Sequence, residues 1–210
     1  MGKAVLISIQ PGWVEQIMNG EKTLEVRKTK PKLEPPFKCY IYCTKGADAA
    51  DRLWVLHEKI RQDYYGLVAV CANLGKQPEN HSLGNGKVVA EFTCDQIVPI
   101  VPAMEPYGTY DVDDDFVAQT CLVNGALWDY GKCATLYSWH ISNLGIYDTP
   151  KELNEFWFPP ELYCEKERCG GCPYDQVADV NGEYSFDCEW KRPLTRPPQS
   201  WCYVEELKNG

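Results

Sequence analysis

Four cysteines late in the chain have the spacing of a metal site: Cys164-x4-Cys169-x2-Cys172, then Cys188 sixteen residues beyond Cys172. Tetrahedral zinc takes four thiolates at about 2.3 Å, and close pairs joined by a loop supply them. Here a close trio is completed by Cys188 across Asn181-Gly182, a turn that strands on each side can flank. The polar segment between has little core of its own, so a bound metal would supply its folding energy. Four thiolates leave no position open to water, which makes the expected role structural. An iron–sulfur cluster also takes four cysteines, although this spacing fits neither ferredoxin pattern well. Unligated thiols are the third reading. Cys202 is the reserve fourth ligand, and the other cysteines, in apolar stretches, read as core.

A second constellation lies near the start. Lys22 and Arg27 offer donors to a phosphate or a base carbonyl, and Glu25 accepts from an exocyclic amine or restrains Arg27. Lys22, Arg27, Lys28, Lys30 and Lys32 form the only concentrated basic stretch in an acidic chain. Trp13, Trp139 and Trp201 offer faces on which bases stack, worth roughly 1–3 kcal/mol per base. His140 has the titration range of an acid, a base or a base-edge reader. Each has a plainer reading. Glu25 and Arg27 serve equally as a pair locking helix to sheet, the tryptophans as core, His140 as a hydrogen-bonded strand residue, and the lysines as a solvated loop. No G-x-S-x-G, P-loop or H-E-x-x-H motif occurs.

Composition narrows the classes. At 210 residues, 44% hydrophobic and 12% aromatic, the chain has enough apolar surface for a real core. The apolar run Ala4–Ile9 is too short for a signal peptide and is stopped by Gln10-Pro11-Gly12. No stretch of 18 apolar residues offers a membrane span. The expectation is a cytoplasmic protein without a membrane partner, whose eleven cysteines stay reduced and serve metal or core. A net charge of -9 opposes nonspecific duplex binding, while leaving room for a small basic patch that reads one strand or one nucleotide.

The elements that must position these residues are short. Ala4–Ile9 reads as a buried strand, and Trp13–Asn19 as a helix with Trp13, Val14, Ile17 and Met18 on its apolar side. Gly20 stands where a left-handed stop is expected. Lys22–Arg27 alternates, Leu24 and Val26 facing one way and Glu25 and Arg27 the other. Further strands are expected at Cys39–Cys43, Lys87–Thr93 continuing into Ile97–Val101, Leu136–Ile141 and Ser200–Glu205. Helices are expected from Asp51 to about Tyr65, and after Asp113-Asp114-Asp115 as one stretch ending near Gly125. Short strands with few helices point to an α+β fold, a small β-barrel decorated by helices.

The blocks form an ordered set. Gly20-Glu21-Lys22-Thr23-Leu24-Glu25-Val26-Arg27 is followed by Cys39-Tyr40-Ile41-Tyr42-Cys43-Thr44, Gly86-Lys87-Val88-Val89-Ala90-Glu91-Phe92 and Tyr137-Ser138-Trp139-His140-Ile141-Ser142. Pro197-Pro198-Gln199-Ser200-Trp201-Cys202-Tyr203 closes it. The first block resembles the G-x-K-x-x-E-x-R motif of ASCH domains, and the five in this order resemble bacterial and phage members of that PUA-like family. The run Cys169-Gly170-Gly171-Cys172-Pro173 resembles a zinc knuckle. The family resemblance implies a PUA-like barrel, RNA recognition and pockets for modified bases, although fold alone does not fix function.

Relatives also hydrolyse N4-acetylcytidine or are described as ribonucleases. In the amidohydrolase branch a lysine of the G-x-K segment assists a threonine three positions on. Lys22 matches the lysine, but Glu25 occupies the threonine position. Thr23, one residue from Lys22, should point to the other side of a strand, beyond the reach a nucleophile needs from its base. Glu25 activating water, with Lys22 stabilising an oxyanion, is the remaining hydrolytic chemistry.

The resulting expectation is a barrel over 1–160 and 193–210, with a four-cysteine zinc insertion at 161–192. It would bind RNA, single-stranded nucleic acid or a modified nucleotide near Lys22, Glu25, Arg27 and Trp139. A ribonuclease, an N4-acetylcytidine-type amidohydrolase and a phage or bacterial protein-interaction module are the alternatives.

Overall fold

The computed structural model describes residues 2–45, 84–105, 108–159 and 192–207. The helix expected at 51–65 and the cysteines Cys164, Cys169, Cys172 and Cys188 lie outside the described residues.

The strand β1 (Lys3–Ile9) is covered on both faces, which is why it reads as an unbroken apolar run. Val5, Ile7 and Ile9 enter one core with Val14, Ile17, Cys39, Ile41 and Phe92, while Ala4 and Leu6 enter a second with Tyr40, Phe156 and Val204. Helix α1 (Pro11–Met18) starts with proline at its first turn, where no amide donor is needed. It buries Val14 and Ile17 and ends at Asn19, followed by Gly20 at φ 77°. The strand β2 (Leu24–Arg27) follows, then β3 (Phe37–Cys43), β4 (Val88–Ile100), β5 (Leu136–Lys151) and β6 (Trp201–Glu205). Their order in one six-stranded sheet is β2-β5-β4-β3-β1-β6. The β1–β3 pair is parallel and the others are antiparallel.

The α+β class stands, but the sheet is not a closed barrel: among the described residues β2 and β6 are its edges and no ladder joins them. Side chains bridge the gap instead. Trp201 Nε1 donates to Thr29 Oγ1 at 3.0 Å, and Lys32 N donates to the Tyr203 hydroxyl at 2.7 Å. Pro31 lies between these two contacts and has no N–H to give a ladder. Three register shifts along β4 and β5 bend the long hairpin.

The single helical stretch expected after Asp113 is two helices, α2 (Asp114–Thr120) and α3 (Asn124–Gly131). Asp113 caps α2 through Phe116 N, and left-handed Cys121 at φ 56° ends it. A third core beneath them contains Val26, Ile100, Tyr110, Leu127 and Leu136. Asn124 clamps Tyr110 from both sides, accepting from its N at 2.7 Å and donating to its carbonyl at 2.9 Å. Among the described residues no helix is long and apolar enough to cross a membrane.

Candidate functional site

The turn at Gly20 sends the chain back under α1, where Glu21 N and Lys22 N both donate to Gln16 O, at 2.9 and 3.1 Å. Lys22 is thereby fixed just ahead of β2. Strand periodicity then puts Glu25 and Arg27 on one side of β2, while Val26 enters the third core. The C-terminal end of α2 docks on the same turn, Thr23 N donating to Gln119 O at 2.9 Å.

The three charged residues sit at 2%, 6% and 8% exposure for Lys22, Glu25 and Arg27. Arg27 Nη2 meets Glu25 Oε1 at 2.9 Å and donates to Ser8 O at 2.7 Å. Lys22 Nζ donates to Thr120 O at 2.6 Å, lies 3.5 Å from Glu25 Oε2 and stands 5.3 Å from the centre of the Trp13 ring. Burial pushes the Lys22 ammonium below its ordinary range, and the nearby Glu25 carboxylate opposes that shift. The three groups face a cleft of about 1050 Å³. Its walls include Trp13, Tyr42, Leu122 and Tyr130, with Pro197, Pro198 and Gln199 on the far side.

The network is not saturated. Arg27 Nε is buried with no partner, and Arg27 Nη1 reaches only Ser200 Oγ at 3.5 Å. Lys22 carries three donors and has one short bond. Unfilled capacity on buried charged groups beside a cleft is the arrangement a polar ligand completes.

The other expected residues separate. Trp13 lines the cleft, but Trp139 does not: it is fully buried, packed on Phe37 and Trp201 at 6.2 and 6.0 Å between ring centres. Although Trp139 pairs with Glu25 in the ladder, the first core encloses its ring and no base could stack on it. Trp201 lies at the β6 edge against Trp139 and Tyr203, away from the cleft lining. His140 stands opposite Leu24, one step out of phase with Glu25, and meets Asp95 Oδ1 at 2.6 Å. Thr23 Oγ1 contacts Gln119 at 3.4 Å and is absent from the cleft lining, as its place beside Lys22 implies.

Cys202 is half-buried and packs against the second core, where burial pushes its thiol up to about 12. Among the described residues no group of three or more His, Cys, Asp or Glu is arranged to hold a metal.

Several cleft residues had no sequence signal that singled them out. Ser8 interrupts an apolar strand, and that polarity was its one hint; its hydroxyl donates to Pro198 O at 2.7 Å while its carbonyl receives Arg27. Tyr130 lines the cleft from α3, which left-handed Cys121 separates from α2.

No family model matches the chain, and no curated protein does. Similar solved structures are of an ASCH protein from Zymomonas mobilis. Two point variants are 12% and 13% identical, cover 97% of this chain and 91% and 89% of theirs, and have a TM-score of 0.46. The unsubstituted protein is 13% identical, with 97% and 88% coverage and a TM-score of 0.44. Likeness at this level transfers neither residues nor activity.

Proposed function

We propose that the cleft binds a nucleotide of RNA or another single-stranded nucleic acid, a modified base included, without catalysis. One observation carries the reading: buried Lys22 and Arg27, gathered around Glu25, retain unfilled donors at the floor of a cleft walled by Trp13, Tyr42 and Tyr130. A base edge presents acceptors and donors side by side, matching two cations around one carboxylate. An aromatic wall adds roughly 1–3 kcal/mol per stacked base. The resemblance of the Gly20–Arg27 block to ASCH domains supports the same ligand class. Of the hydrolytic alternatives, the one through Thr23 is disfavoured because that hydroxyl is directed elsewhere, which leaves water activated by Glu25 for the assay below to test.

The test is binding of single-stranded RNA and of free nucleosides at two salt concentrations, with Trp13→Ala and Arg27→Lys beside the parent. Expected are salt-sensitive RNA binding and a roughly tenfold or greater loss on Trp13→Ala, with the fold retained by circular dichroism. Cleaved RNA or released acetate would replace binding by hydrolysis. Absence of binding to both probes would overturn the reading and favour a protein-interaction role.

We also infer a structural zinc held by Cys164, Cys169, Cys172 and Cys188. Their spacing supports it, and so does the way the flanks meet: Phe158 N donates to Arg192 O at 3.1 Å and Leu194 N to Phe156 O at 2.8 Å. A chain that leaves and returns at one point suits an inserted module. Metal analysis of the same binding samples checks it, with about one zinc per chain expected and loss on Cys172→Ser.

A further inference from the structure

Directly after Arg27 the chain crosses the gap between the two sheet edges, and Lys28, Lys30 and Lys32 are all exposed there. Between them Pro31 is buried and Thr29 accepts from Trp201, so the segment is fastened from beneath while its ammonium groups stay outside. Lys32 N is tied to Tyr203 as well. Aromatic rings hold two of these lysines: Lys28 Nζ lies 4.9 Å from the centre of Tyr130, and Lys30 Nζ 6.0 Å from that of Tyr137. Among the described residues no carboxylate pairs with any of the three. In a chain of net charge -9 this is a local reversal of sign.

The run is continuous with the cleft. Tyr130 lines the cleft and carries Lys28 over its ring. We infer that Lys28, Lys30 and Lys32 form a track for the phosphodiester backbone of a single strand whose end or unstacked nucleotide occupies the cleft. This rests on the nucleotide-binding reading above. A ring face restrains a lysine without using up its N–H donors, so phosphate needs to break no ion pair. Three cations are few for a duplex, and the acidic remainder repels one, but they suit a short single strand.

The experiment is fluorescence anisotropy with single-stranded RNA from a mononucleotide to about 12 nucleotides, between about 50 and about 200 mM salt. The full-length parent is compared with the triple variant Lys28→Gln, Lys30→Gln, Lys32→Gln and with Trp13→Ala. The parent should bind longer strands more tightly. The triple variant should keep mononucleotide binding, lose the gain with length and lose about 2 from the salt slope, at about 0.7 per phosphate contact. Trp13→Ala should weaken every length. A triple variant that keeps the parent's length gain and salt slope overturns the track while leaving the cleft reading intact. Length-dependent binding that needs the lysines but ignores Trp13 supports the track and overturns the cleft. No binding at any length overturns both.

Discussion

Glu25 and Leu24 are consecutive on β2, yet the charged groups beside them inhabit different media. Glu25 belongs to the cleft floor, where three charges are nearly withdrawn from water. Opposite Leu24, on the other face of the sheet, His140 and Asp95 form a pair of equally short contact, 2.6 Å, with side chains 38% and 42% exposed. The first set is held by the fold, and burial lowers the Lys22 pKa against the pull of the Glu25 carboxylate. In the second, Asp95 is held below its ordinary range chiefly by its hydrogen bond from His140, with solvent all around. Distance alone would rank the outer pair as strong as any contact on the floor. Burial decides otherwise, because the dielectric environment sets both the strength of a charge pair and the penalty for leaving it incomplete.

The sharpest way to break this contrast is Glu25→Ala, which leaves Lys22 and Arg27 buried without their shared anion. A loss of about 3–5 kcal/mol in chemical denaturation is expected. A loss below about 1 kcal/mol would show that the floor is wetter than its exposure implies.

Lys22 provides a second test. An ammonium whose pKa falls on folding leaves the unfolded chain binding more protons, so stability rises with pH between the lowered value and 10.5. The stability difference between parent and Lys22→Met should therefore move in the parent's favour across that window. A flat difference would mean that the floor does not desolvate Lys22.

The smallest effect belongs to the outer pair. Asp95→Asn should cost no more than about 1 kcal/mol near neutral pH. Because folding lowers the Asp95 pKa, its contribution is present above 3.8 and fades as pH falls through the lowered value. A cost comparable to that of Glu25→Ala would erase the distinction between the two faces.

The same contrast explains what could be read in the sequence. Alternation within Leu24–Arg27 correctly placed Glu25 and Arg27 together, and the Gly20 stop and the strand at Ala4–Ile9 followed from local chemistry. The environment of Trp139 did not, because its burial depends on Phe37 and Trp201, over a hundred and over sixty positions away in the chain. His140 drew notice as a residue type, but strand phase directs it away from the floor. β5 was expected to stop at Ile141 and runs on to Lys151, since Asn143 at φ 51° is absorbed near a register shift. The break at Cys121 was equally hidden: a left-handed non-glycine residue has no strong local signature, yet it ends α2 ahead of the helix that carries Tyr130. The far wall, Pro197 to Gln199, is tied to Ser8 only through the tertiary fold.

Where Trp157 bridges Pro193, the chain arrives and departs side by side, and Trp157 O also receives Glu205 N from the end of β6. In terms of chain entropy, that clasp fixes the separation of the two ends of the intervening stretch. Doubling the length of a closed loop costs only about 0.6 kcal/mol. A change in the length of the stretch between Trp157 and Pro193 is therefore expected to leave the strands that carry the cleft in register.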